Sequence, residues 1–142
     1  MQPGTGDAAP APLVLVCDDT EQIRRLVRIN LELAGYDVEE ARDGHEAMAR
    51  LVDIESRVPS VVVIDSQMSP YDGWWTIAAI RSHHRLEAMP VLLVTANVAE
   101  HVGPETAAAG FDGVVGKPFD PDDLVDAVSR LAVGGRASHP GQ

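Results

Sequence analysis

The sequence predicts a doubly wound α/β domain, with helices on both faces of an open, five-stranded parallel sheet. Two observations carry that reading. Four short runs rich in β-branched residues recur along the chain, with YDVEEA as a further strand, and most are continuously apolar, as strands covered on both faces must be. A helical pattern follows each run, and right-handed crossovers turn such an alternation into a single sheet.

The first strand is LVLVC at 13–17. In the helix after it, Ile23, Leu26, Val27, Asn30, Leu31 and Ala34 recur at spacings of three and four. That leaves Arg24, Arg25, Arg28 and Glu32 for solvent, and Gly35 as the cap. YDVEEA at 36–41 is the second strand. Asp43 and Glu46 resemble a capping box opening a helix over about 44–57. VVVID at 61–65 is the third strand, followed by a helix from near Asp72 to about residue 85. VLLVT at 91–95 is the fourth, followed by a poorer helix, rich in Ala and Gly, over about 99–109. The weaker VVG at 114–116 completes the sheet. In the last helix Asp120 caps, Pro121 takes the first turn, and Asp122 and Asp123 lie where the helix dipole favours carboxylates. Its inward stripe is Leu124, Val128 and Leu131. The flavodoxin-like strand order 2-1-3-4-5 fits this alternation, although other doubly wound orders satisfy it too.

The 142 residues suit one domain, expected over 12–132, with flexible segments at 1–11 and 133–142. About ten residues follow the last helix, so no attached output domain is expected. The formal charge is −11 and the basic residues are scattered, which argues against direct nucleic-acid binding. No apolar run approaches the roughly 20 residues that cross a bilayer, so no membrane insertion is expected. MQPGTGDAAPAP has neither the basic start nor the apolar stretch of a secretion signal, and a cytoplasmic location follows as the expectation. The lone cysteine, Cys17, reads as a buried structural thiol. His45, His83, His84, His101 and His139 form no ligand motif and read as surface residues.

In a doubly wound sheet the active crevice lies beyond the carboxyl ends of the strands. Asp18 and Asp19 follow the first strand, Asp65 ends the third, Thr95 ends the fourth, and Lys117 follows the fifth. Three carboxylates, a hydroxyl and an ammonium thus converge on one rim. Clustered carboxylates call for a cation, and hard oxygen donors without sulfur or imidazole suit Mg²⁺. An aspartate in such a place can accept a phosphoryl group. Lys117 is the only lysine in the chain; the other ten basic residues are arginines.

The segments VLVCDD, ELAGYDVEEARDGHEAM, VVVIDSQMSPYDGW, PVLLVTA and KPF make the chain resemble the response-regulator receiver domain of the CheY-like superfamily, over about residues 12–132. The resemblance implies that Asp65 is the phosphoacceptor. It also implies that Asp19 is a direct Mg²⁺ ligand, that Asp18 acts through a metal-bound water, and that Gln67 lends its backbone carbonyl. Thr95 resembles the switch hydroxyl, Lys117 the lysine that pairs with the phosphoryl group, and Pro118 the family's cis proline. Three departures stand out. Pro70 falls one place later than in the usual Asp-x-x-Met-Pro loop, Val114 stands where an aromatic switch residue is common, and Gly116 replaces a small polar residue.

The implied activity is transfer of a phosphoryl group from a histidine kinase or phosphotransfer protein to Asp65. Lys117 and the backbone N–H groups around Ser66 and Ala96 would share the charge, and slow autodephosphorylation would proceed past Gln67 and Asn97. This describes a signalling protein rather than an enzyme. Output would pass to a separate effector protein, or through a homodimer, by way of the fourth helix, fifth strand and fifth helix. Trp74 resembles an inward residue, whereas Trp75 is a candidate contact. Two rival readings fit the residues less well. A docking or adaptor module that needs no phosphorylation would leave the Asp–Asp–Asp–Thr–Lys set unexplained. A dehalogenase-like phosphatase needs an aspartate where Gln67 stands. No GxGxxG or GxxxxGK[ST] pattern follows a strand, so nothing points to nucleotide binding.

Overall fold

The computed structural model describes residues 10–101 and 103–136, the side chains of Glu100 and His101 excepted. The lead-in up to residue 9 and the tail from residue 137, with His139, lie outside the described residues. The strands are β1 (Leu13–Cys17), β2 (Asp37–Ala41), β3 (Val61–Asp65), β4 (Val91–Thr95) and β5 (Gly113–Gly116). They form one parallel sheet in the order β2-β1-β3-β4-β5. The helices are α1 (Glu21–Leu33), α2 (Gly44–Val52), α3 (Gly73–Ser82), α4 (Val98–His101), α5 (Pro104–Ala109) and α6 (Pro121–Gly134).

Successive strand residues point to opposite faces, and the core divides accordingly. Val14, Val16, Val61 and Val63 pack with Val27 and Leu31 of α1 and with Leu124, Val128 and Leu131 of α6. Leu15, Cys17, Val62 and Ile64 pack with Ala47 and Leu51 of α2 and with Ile77 and Ile80 of α3. The three central strands β1, β3 and β4 are buried throughout because both sides are covered. Cys17 is buried, and that burial, helped by nearby carboxylates, pushes its thiol pKa well up.

The structure departs from the sequence expectations in several places. α2 stops at Val52 rather than near residue 57. The Asp53 carboxylate accepts hydrogen bonds from the Glu55 N–H (3.0 Å) and the Ser56 hydroxyl (2.9 Å), a local turn that competes with helix. α3 likewise ends at Ser82, short of residue 85. The expected helix over 99–109 is two short ones, because Pro104 cannot continue a helix and instead opens the next at its first turn. The Asp43 capping box is only half formed. Asp43 accepts from the Glu46 N–H at 2.9 Å, but the Glu46 carboxylate reaches back to the Arg42 N–H.

The face of α1 also differs. Arg24, Val27 and Leu31 are its buried residues, while Leu26 is 45% exposed. A guanidinium enters a core layer only where its donors find acceptors, and Arg24 gives Nε to Glu40 and Nη1 to the Asp18 carbonyl. Gly35 does end α1, with φ of 101° and hydrogen bonds from Gly35 N–H to Glu32 and from Tyr36 N–H to Leu31. At the other end of the chain α6 runs to Gly134, two residues past the expected domain boundary. Arg136 beyond it pairs with Asp112 at 3.0 Å.

Candidate functional site

β1 and β3 are neighbours at the centre of the sheet, where the chain order switches direction. Asp18, one residue past β1, and Asp65, the last residue of β3, therefore stand side by side. Asp65 is in register with Val94 and Thr95 with Gly116, so Thr95 and Lys117 arrive at the same edge. Gly73 keeps α3 close beneath this edge, since a Cβ there would lie 2.6 Å from the Asp65 carbonyl oxygen.

One carboxylate oxygen from each of Asp18, Asp19 and Asp65 lies within 4.8 Å of the others; Asp18 and Asp65 are buried and Asp19 is exposed. The Lys117 ammonium lies 2.9 Å from Asp65 Oδ2 and 3.5 Å from Asp18 Oδ2. Three carboxylates against one ammonium leave a formal charge of about −2, held in a partly desolvated place. Burial raises the Asp18 pKa and Asp65 adds to this, against the lowering effects of the Thr20 N–H and Lys117. Burial works against the Lys117 charge, but the hydrogen bond to Asp65 and the field of both aspartates outweigh it and raise its pKa. The donor set is all oxygen, compact and short of positive charge, which fits a hard divalent cation.

Asp19, Asp65, Gln67, Ala96 and Lys117 line one open cavity of about 480 Å³. Gln67 also directs its N–H at Asp65 Oδ1, 3.3 Å away. Thr95 is not among the lining residues. It is fully buried, and its hydroxyl accepts hydrogen bonds from the Ser66 hydroxyl (3.2 Å) and the Asn97 N–H (3.0 Å). The Ser66 N–H is not open to a ligand either, for it extends the sheet by donating to the Val94 carbonyl at 2.9 Å. Of the backbone donors expected around Ser66, the one facing the carboxylate belongs to Gln67.

The family model of the response regulator receiver domain matches residues 14–129. The chain belongs to the response-regulator receiver family. It is 33% identical over 120 residues to the DNA-binding dual master transcriptional regulator RpaA of Synechocystis, a stretch covering 84% of this chain and 48% of RpaA. It is 30% identical over 115 residues to protein PilG of Pseudomonas aeruginosa, covering 81% of this chain and 83% of PilG. The chain thus spans about half the length of several curated relatives that it matches. Among solved structures, the Francisella response regulator 1452 receiver domain superposes with a TM-score of 0.76 at 31% identity, over 87% of this chain and 98% of that one. The chemotaxis response regulator CheY4 of Vibrio cholerae gives 0.73 at 31%, over 85% and 98%.

Within this receiver domain, both the Lys117–Pro118 and the Ser69–Pro70 peptide bonds are cis. The first matches what the resemblance implies; the second falls at the displaced proline. Trp74 packs edge-on against Phe111 at 5.3 Å, whereas Trp75 is exposed and lies 4.6 Å from Tyr71. Arg24 was missed at the site by sequence reasoning: its Nη1 donates to the Asp18 carbonyl at 2.8 Å. A polar residue on a predicted solvent face gave no signal of this. Among the described residues no helix is long and apolar enough to cross a membrane.

Proposed function

We propose that this receiver domain accepts a phosphoryl group on Asp65 in a two-component phosphorelay. The observation that carries the reading is the Lys117 ammonium 2.9 Å from Asp65, inside a cluster of three carboxylates that matches a divalent cation. Asp18, Asp19, Asp65 and the backbone carbonyl of Gln67 would hold Mg²⁺, which supplies the positive charge that lets an anionic nucleophile meet an anionic phosphoryl group.

Asp65 provides the nucleophile: as the O–P bond forms, the P–N bond of a phosphohistidine breaks and the imidazole leaves. Lys117 follows the transferring oxygens as a point charge, and the Gln67 N–H stands on the other side of the carboxylate. The acyl phosphate hydrolyses slowly, with the exposed Gln67 and Asn97 beside the path of water. The chain is on this reading a cytoplasmic signalling protein, charged by a histidine kinase or phosphotransfer protein. It is read by an effector, or by a second copy, at the α4–β5–α6 face.

Asp65→Asn tests the assignment. Incubated with Mg²⁺ and acetyl phosphate, the parent should gain one hydroxylamine-sensitive phosphoryl group by intact mass, and the variant none. Equal labelling of the variant at another residue would refute the assignment.

A further inference from the structure

The Asp18 residue is pinned at three points. Its N–H donates to the Ala41 carbonyl at 3.1 Å, its Oδ1 accepts from the Thr20 N–H at 2.8 Å, and its carbonyl accepts from Arg24 Nη1 at 2.8 Å. The third restraint differs in kind from the others. The Asp18 carbonyl belongs to the peptide plane whose nitrogen is that of Asp19, so fixing that oxygen fixes where the Asp19 Cα and side chain go. Among the described residues the Asp19 side chain has only a long hydrogen-bond contact, from the Thr20 hydroxyl at 3.5 Å.

Arg24 is held in turn. Its Nε donates to Glu40 Oε1 at 2.9 Å, and Glu40 Oε2 accepts from Arg28 Nη1 at 2.8 Å. Glu40 lies on β2, so a bracket runs from β2 through Arg24 to the turn after β1. Arg24 is 9% exposed, and a buried guanidinium held at both Nε and Nη1 has little freedom to wander. Glu40 also takes up the arginine charge. The guanidinium therefore orients the acidic turn without serving as a substitute cation in the cavity, where Lys117 is the ammonium in contact.

We infer that Arg24 is a positioning residue for cation binding: through the Asp18 carbonyl it presets the Asp18–Asp19 turn so that the three carboxylates meet a divalent ion already arranged. The inference rests on the cation-dependent reading of the site. Residues that orient metal ligands typically cost 10–100-fold in affinity when removed.

The test is calorimetric titration of the full chain with MgCl₂, alongside thermal melting and the amide shifts of Asp19 and Thr20. Arg24→Gln should weaken Mg²⁺ by roughly tenfold or more and move both amides. Arg24→Lys should recover part of that loss, since an ammonium can meet the Asp18 carbonyl but cannot bracket it against Glu40 as a fork does. Arg81→Gln is the control. Arg81 makes a comparable, half-buried set at the opposite end of the sheet, to Asp112 at 2.9 Å and to the Gly110 carbonyl, so its replacement should lower the melting temperature and leave Mg²⁺ affinity unchanged.

A folded Arg24→Gln protein that binds Mg²⁺ within about twofold of the parent would overturn the inference, against the larger loss expected of an orienting residue. So would an Arg81→Gln protein that loses as much affinity, because the effect would then be general destabilisation. Should Arg24→Gln fail to fold, Glu40→Gln carries the question: it loosens the bracket while keeping Arg24, and it must weaken Mg²⁺ by at least roughly twofold. A parent chain that binds no Mg²⁺ would instead remove the functional reading itself, and the parent titration alone shows it.

Discussion

Asp18 lies among the Asp19 and Asp65 carboxylates and the Lys117 ammonium, and it is only 4% exposed. Its pKa is raised by burial first and by Asp65 besides, so in the cation-free protein its ionised form costs stability. The sign follows: with the folded pKa above the unfolded one, that cost is complete above the carboxylate range and fades as pH falls through it. Asn at this position keeps an oxygen for the Thr20 N–H and removes the charge. Asp18→Asn is therefore expected to stabilise the metal-free chain at neutral pH by about 1 kcal/mol in urea unfolding, a gain that shrinks in acid. The same variant should lose at least roughly tenfold in Mg²⁺ affinity by calorimetry, the usual exchange of stability for a strained site. No gain in stability would mean that Lys117 already balances the cluster. At this scale the aspartates and Lys117 were legible because each ends a strand or lies within two residues of a strand end, and a strand end has one address in an open sheet. Arg24 was not. Its role depends on a carbonyl six residues away and a carboxylate on another strand, which helical periodicity cannot register.

Among the elements, strands were read closely because continuous apolar runs allow little else, whereas helix ends were set by local hydrogen bonds such as those of Asp53 and by Pro104. Two expectations concern pairs of elements. Glu40 on β2 takes ion pairs from Arg24 and Arg28 on α1, and the Arg28 hydrogen bond, ahead of an opposing burial effect and the Arg24 bond, lowers its pKa. A depressed carboxylate adds stability above its unfolded pKa and loses it as pH falls through the folded one. Glu40→Gln should then cost about 1 kcal/mol at pH 7 and progressively less as pH falls through the lowered folded pKa in urea titrations. A constant difference across that range would mean shape rather than charge holds the pair. The second pair is α4 and β5. A Cβ on Gly116 would come within 2.4 Å of Val98 Cγ2, so the valine occupies the space a side chain would need. Gly116→Ala is expected to destabilise by about 1 kcal/mol and to do so less in a Val98→Ala background, a coupling of at least about 0.5 kcal/mol in a double-mutant cycle. This contact joins α4, which follows Thr95, to the strand before Lys117, a link between the site and the proposed output face that does not involve the half-buried Val114.

For the whole molecule, the question is whether Mg²⁺ acts at one place or everywhere. With a formal charge of −11, any added salt relieves self-repulsion and stabilises the fold somewhat. Binding at a single site is different: it acts only on the folded state and grows with the logarithm of concentration. At a hundred times its dissociation constant a ligand adds about 2.7 kcal/mol, which for a domain of this size raises the melting temperature by roughly 5–10 °C. Sodium chloride at matched ionic strength supplies the screening without the hard divalent centre and should give a much smaller rise. Asp19→Asn separates the two further. Asp19 is exposed, so its loss alters the overall charge by one unit and the packing little, yet it removes one of three clustered oxygens. The variant should keep its response to sodium chloride and lose most of the extra response to Mg²⁺ in differential scanning calorimetry. Equal shifts from the two salts in the parent would leave the acidic cluster as surface charge, with no place built for a cation.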